Sequence, residues 1–294
     1  MLNEPCKYGA LLIDYDSEEF PVYHLVKPFT EEEHLRYDQA YRLLTAYQDE
    51  SMFNYVKNSC IDLFDYIIKV GAAANESGTL SETDDRGSNI FDYVCSLTLA
   101  ATNAFFVLQD QRKLKAEYIA KERGDDTKEK VAKIFRDLED SSFGYRSILN
   151  LRNALVHVNL NSLTFSMSVG VGREPEFVLK MSRRDVLATR NLSFPKAAAK
   201  RAELEGLSED PDVFALVTEG LPAIAKADGQ VRDALYPESA LQEASKVVRE
   251  LIDVFDGRRG TYCLQTGPDF TIDRKIPSHT QLIPEALALA QSFS

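Results

Sequence analysis

Residues 151–159 read LRNALVHVN: an arginine with an asparagine beside it, three apolar residues, then a histidine. Nothing in this run breaks a helix, and at about 100° per residue its side chains sort into two faces. Ile148, Leu151, Leu155 and Val158 form an apolar stripe suited to a core, while Arg146, Asn150, Asn153 and His157 fall on the opposite side. Arg152 flanks them, because five residues along a helix turn its direction about 140° from His157. Leu149 and Val156 lie beside Arg152. A helix of this kind can pack on its own core and also against a second subunit.

The chain contains an internal control for this spacing, Arg274 and His279 in RKIPSH. Pro277 removes a backbone donor there and bends its predecessor away from helix, which places that copy in a loop. Only the first copy is helical and carries the asparagine, a combination that chance supplies in roughly one such chain in a hundred. Arg152, Asn153 and His157 together resemble the signature of the HEPN superfamily (higher eukaryotes and prokaryotes nucleotide-binding domains), in which an Arg, often followed by a polar residue, precedes a His by a short helical interval. The resemblance covers the motif and the helices before it, and hardly extends past about residue 180.

The resemblance implies a small helical bundle, commonly dimeric, with the motif helices of two protomers meeting in one composite site. It also implies metal-independent endoribonuclease activity of the kind found among toxins, abortive-infection proteins and CRISPR-associated effectors. Other members of the superfamily have lost activity and serve as binding modules. In the catalytic reading His157 moves a proton, since imidazole as a residue type titrates close to neutrality. Arg152 clamps phosphate oxygens and Asn153 orients the histidine or the phosphate. Arg146 and Asn150 on the same face, with Arg183 and Arg184 further on, are the candidate substrate contacts. No cofactor or metal is expected. The expected products are 2′,3′-cyclic phosphate and 5′-hydroxyl ends.

Charge distribution agrees with a localised phosphate site. The net charge of -12 argues against a general nucleic-acid coat, yet residues 101–200 hold 18 basic and 12 acidic side chains while the flanking segments are both acidic. Cys6, Cys60, Cys95 and Cys263 have neither disulfide-like nor metal-ligand spacing, and the N-terminus lacks the pattern of a secretory signal, so a cytoplasmic protein is expected. Residues 90–108 are apolar with a single charge, Asp92; Ser96, Thr98, Thr102 and Asn103 favour a buried bundle helix there over a membrane span.

Along the chain, residues 9–15 predict a strand and Thr30 with Glu33 a capping box. Helices are expected over about 31–49, 51–72, 88–122, 127–140 and 142–158, with residues 71–88 as a long polar loop and Ser141 and Ser142 capping the motif helix. Period-two alternation over 163–169 and 177–181 predicts a β-hairpin. A short helix follows Ser182, others run over about 211–228 and 239–255, a strand over 261–265 and a last helix over 284–292. The expected class is mainly α: a HEPN-like helical bundle with a small β-hairpin and additional C-terminal helices. Residues 1–182 are expected to form the HEPN-like domain and 183–294 an extension, packed separately or as one unit with it. The functional expectation is an RNA-cleaving homodimer in toxin–antitoxin or antiviral defence, with an antitoxin or regulatory partner and no membrane. The alternative is a non-catalytic module that binds a protein partner or nucleotide.

Overall fold

The computed structural model describes residues 7–15, 21–77, 83, 89–157, 162–168, 176–188, 198–267 and 277–293. It is mainly helical, with a small antiparallel sheet and a separate hairpin. The elements are β1 (Gly9–Asp14), β2 (Val22–Pro28), α1 (Glu31–Gln48), α2 (Ser51–Ser77), α3 (Ile90–Arg123), α4 (Thr127–Ser141), α5 (Phe143–His157), β3 (Leu163–Ser168), β4 (Glu176–Met181), α6 (Arg183–Ala188), α7 (Ala198–Glu205), α8 (Val213–Leu235), α9 (Glu238–Val254), β5 (Thr261–Gln265), β6 (His279–Gln281) and α10 (Pro284–Ser292).

The chain divides into two compact units, one made of residues 1–49 and 236–294 and the other of residues 50–235. The boundary expected near residue 182 falls inside the second unit. The physical reason is strand pairing: β1 lies between β2 and β5, with Leu11 opposite Cys263, so the first strand is completed by one from the far end of the chain. Pairing partners so distant leave no trace in local periodicity.

In the first unit the sheet order is β2-β1-β5-β6. Leu11 and Leu12 of β1 and Cys263 and Leu264 of β5 are buried although adjacent residues point to opposite faces, so both faces of the sheet centre are covered. The capping box forms as expected, with Glu33 N–H donating to Thr30 Oγ1 at 3.1 Å and Thr30 N–H to Glu33 Oε2 at 2.9 Å. Tyr41 of α1 fixes the entry to α10, its hydroxyl donating to Gln281 O and accepting from Ile283 N–H, each at 3.0 Å. The RKIPSH segment ends in strand rather than loop: His279 opens β6, while Arg274 lies outside the described residues.

In the second unit α3 packs along α2, α4 and α5, and α5 packs along α8. Phe105, Leu108, Val131, Phe135, Tyr145, Ile148 and Leu151 are almost wholly buried and form the bundle core. One ion pair sits inside it: Arg112 Nε donates to Asp228 Oδ1 at 2.7 Å and Nη2 to Oδ2 at 3.2 Å, a bidentate link from α3 to α8. The apolar first half of α3 is long enough to cross a membrane by length and composition, and here Val94, Ala101, Phe105 and Leu108 line the bundle core. The expected hairpin forms, with Phe165 opposite Leu179.

Three helices differ from expectation. α2 continues to Ser77, past Gly71, where the sequence predicts the start of a loop. A Cβ there would lie 2.2 Å from the tip of the Phe177 ring on β4, so a larger residue would make that ring turn aside. α8 passes Gly229 and ends at Leu235 because Val231 and Leu235 are buried, and packing outweighs the modest propensity cost of one glycine. α7 lies in a segment whose mixed charge gave no periodic signal. Much of the polar stretch expected as a loop, residues 78–82 and 84–88, lies outside the described residues, as do Cys6 and Val158.

Candidate functional site

Capping and burial determine where α5 exposes its side chains. Its first turn is held by Ser142, whose Oγ accepts from Tyr145 N–H at 3.1 Å, and by Glu219 of α8, whose Oε1 accepts from Gly144 N–H at 2.9 Å. From Gly144 to Leu151 every residue is buried, and only the last turns emerge. Arg152 and Asn153 are half-buried, and Val156 and His157 are exposed.

Arg152 is held from three sides. Its Nη1 donates to Asn153 Oδ1 at 3.1 Å, its Nε makes a long contact of 3.4 Å to Asn103 Oδ1, and its guanidinium carbon lies 4.3 Å from the centroid of the Phe106 ring. Asn103 and Phe106 come from α3 and were not placed at the site by sequence. The available signal was Asn103 itself, an amide inside an otherwise apolar helix. His157 sits five residues on, about 7.5 Å along the axis and about 140° around it. A single phosphate would therefore not readily meet both side chains of one helix.

The other expected contacts are located differently. Arg146 is buried, and its guanidinium donates to Glu139 O and, at 2.5 Å, to Glu203 Oε2 of α7, so it ties α4, α5 and α7 together instead of facing solvent. Asn150 has no exposed surface, and among the described residues neither its Nδ2 nor its Oδ1 has a hydrogen-bond partner. The helical wheel gave these two the right direction and the wrong depth, because α5 is surrounded over its first half. Arg183 donates to Asp210 Oδ1 at 2.9 Å and to Leu207 O, which fixes the loop before α8. Arg184 has an exposed side chain beside Asp185 and remains accessible.

The buried thiols add no second nucleophile. Burial pushes the Cys60 and Cys263 thiols up to about 12 and the Cys95 thiol to about 11, so none of them offers a thiolate nucleophile near neutrality. Among the described residues no three His, Cys, Asp or Glu side chains gather into a metal-sized cluster. An open groove of about 340 Å³, lined by Phe143, Leu207, Pro211, Ala215 and Leu216, lies at the opposite end of α5 from His157. Comparison with protein-family models, with curated proteins and with solved structures finds no match to this chain.

Proposed function

We propose that this protein is a metal-independent endoribonuclease of HEPN type, with Arg152, Asn153 and His157 as its working residues. The observation that carries the reading is the emergence of these three side chains over the last turns of a helix that is buried from Gly144 to Leu151, with the arginine held in place. In the proposed reaction the ribose 2′-oxygen attacks the adjacent phosphorus as a base takes its proton, and the 5′-oxygen leaves as an acid supplies one. The products are a 2′,3′-cyclic phosphate and a 5′-hydroxyl. His157 supplies proton transfer, Arg152 stabilises charge on the phosphate oxygens, and Asn153 orients the guanidinium through its carbonyl. Arg184 is the remaining accessible candidate among the flanking substrate contacts.

A homodimer suits this chemistry. Facing copies would bring Arg152 of one copy and His157 of the other toward a single phosphate, which the angular separation on one helix disfavours. Val156 and Phe106, 46% and 36% exposed, supply apolar surface beside the motif for such a contact. By analogy with the superfamily the setting is cytoplasmic defence, with an antitoxin or other regulatory partner.

The alternative is a binding module with the same face. It is favoured by one observation, that Arg152 already spends two N–H groups and one face within the chain. The test is cleavage of a mixed RNA pool in chelator by wild type, Arg152→Ala and His157→Ala, with analysis of fragment ends. Cyclic phosphate ends from wild type alone support the enzyme. Equal behaviour of all three removes the catalytic roles and leaves the module.

A further inference from the structure

We infer that Asn103 and Phe106 of α3 are positioning residues that turn Arg152 into a preset anchor for one phosphate. The inference depends on the phosphate-binding role proposed for Arg152, and not on cleavage. A guanidinium carries five N–H groups in a rigid fork. Asn103 takes the Nε–H and Asn153 one Nη1–H, so three donors remain, the second Nη1–H and both Nη2–H groups. The guanidinium carbon lies 4.3 Å from the centroid of the Phe106 ring, a cation–π contact that restricts the fork from that side. No carboxylate contacts Arg152 among its described partners, so its charge stays available to an anion. All three holding groups are neutral, which distinguishes Arg152 from Arg146, Arg112 and Arg183, each of which is paired with an acid.

The arrangement separates holding from binding. A flexible arginine must lose rotamer freedom when it captures phosphate, and one already held by an amide and an aromatic ring has lost it on folding. Asn103 and Phe106 are three residues apart on α3, so one helix face presents both to the same side chain.

The test follows the Arg152 Nε–H resonance of isotope-labelled full-length protein during titration with inorganic phosphate and then with a short 2′-O-methyl oligoribonucleotide, which lacks a reactive 2′-hydroxyl. In wild type this proton lies upfield through the Phe106 ring current and moves on addition of either probe. Phe106→Leu returns it toward the position of free arginine and weakens oligonucleotide binding by about fivefold, the factor for a cation–π contact of about 1 kcal/mol. Phe106→Tyr keeps both properties. Asn103→Ala, at a half-buried position, weakens binding severalfold with an unchanged melting curve. Asn103→Asp retains an acceptor but neutralises the anchor, and weakens binding further. An Arg152 resonance indifferent to both probes, or wild-type affinity in Phe106→Leu and Asn103→Ala, overturns the inference. Each result is read without RNA cleavage, so failure of the ribonuclease reading is a separate observation.

Discussion

Arg146 and Arg152 lie six residues apart on α5 and do different work because of what surrounds them. Arg146 is enclosed where α4, α5 and α7 meet, with Glu203 and a backbone carbonyl as partners. Arg152 rests on an aromatic ring at the surface. The expected outcome for Arg146→Met is a loss of about 1–3 kcal/mol of stability, from the unpaired groups left behind, with RNA cleavage per folded molecule unchanged. Denaturant unfolding and a specific-activity assay on the same preparation check it, and loss of cleavage at full stability would restore Arg146 to the site. Arg152, Asn153 and His157 are proposed from the sequence alone, because residue type and spacing are local, and the structure adds their exposure on the last turns of α5. The depth of Arg146 and Asn150 was not, because a helical wheel gives direction and says nothing of how many neighbours close around the helix. Asn103 and Phe106 were out of reach for a related reason: the crossing of α3 with α5 is a tertiary fact.

The crossing of α5 and α8 is made close by two glycines. A Cβ on Gly220 would lie 2.7 Å from Ile148 Cδ1 and 3.2 Å from the Tyr145 backbone nitrogen, and one on Gly144 would lie 2.7 Å from Leu216 O. Backbone has nowhere to yield there, whereas the tip of Ile148 can turn. Gly144→Ala is therefore expected to cost about 1–3 kcal/mol as overpacking, and Gly220→Ala less, although alanine is the better helix former in isolation. Thermal melts of the two variants check the order, and a stabilised Gly144→Ala would contradict the tight crossing. Helix existence was readable throughout this unit because apolar residues recur at helical spacing, from Val94 to Leu108 and from Ile148 to Leu155. Helix ends were less so: Gly71 and Gly229 read as punctuation, yet they sit within helices that packing prolongs.

Three buried thiols make the stability of the molecule depend on pH in a calculable direction. Cys60, Cys95 and Cys263 keep their protons in the folded protein up to about 12, 11 and 12, against an ordinary value of 9.0. The unfolded chain releases those protons first, so the contribution is complete below pH 9 and declines as pH rises toward 11 to 12, by about 1.4 kcal/mol per thiol per unit. Urea titrations between pH 8 and pH 11 should show a steeper decline for wild type than for Cys60→Ala, and parallel curves would remove the effect. The mainly helical class was legible from composition and periodicity. The division into units was not, since β1 gives no sign of its partner in β5.

The second unit is an insertion between the two halves of the first, and Glu50 and Arg232, near its two ends, are joined at 3.1 Å. This arrangement sets an order on the ribosome. The apolar strand GALLID emerges before the bundle, and the edge it will share with β5 stays open until residue 265 has been added. The bundle of residues 50–235 is complete in sequence before that moment and can fold while the strand waits. During that interval the newborn chain carries an unpaired, sticky edge, and the nascent protein is then most exposed to mispairing and most in need of a chaperone.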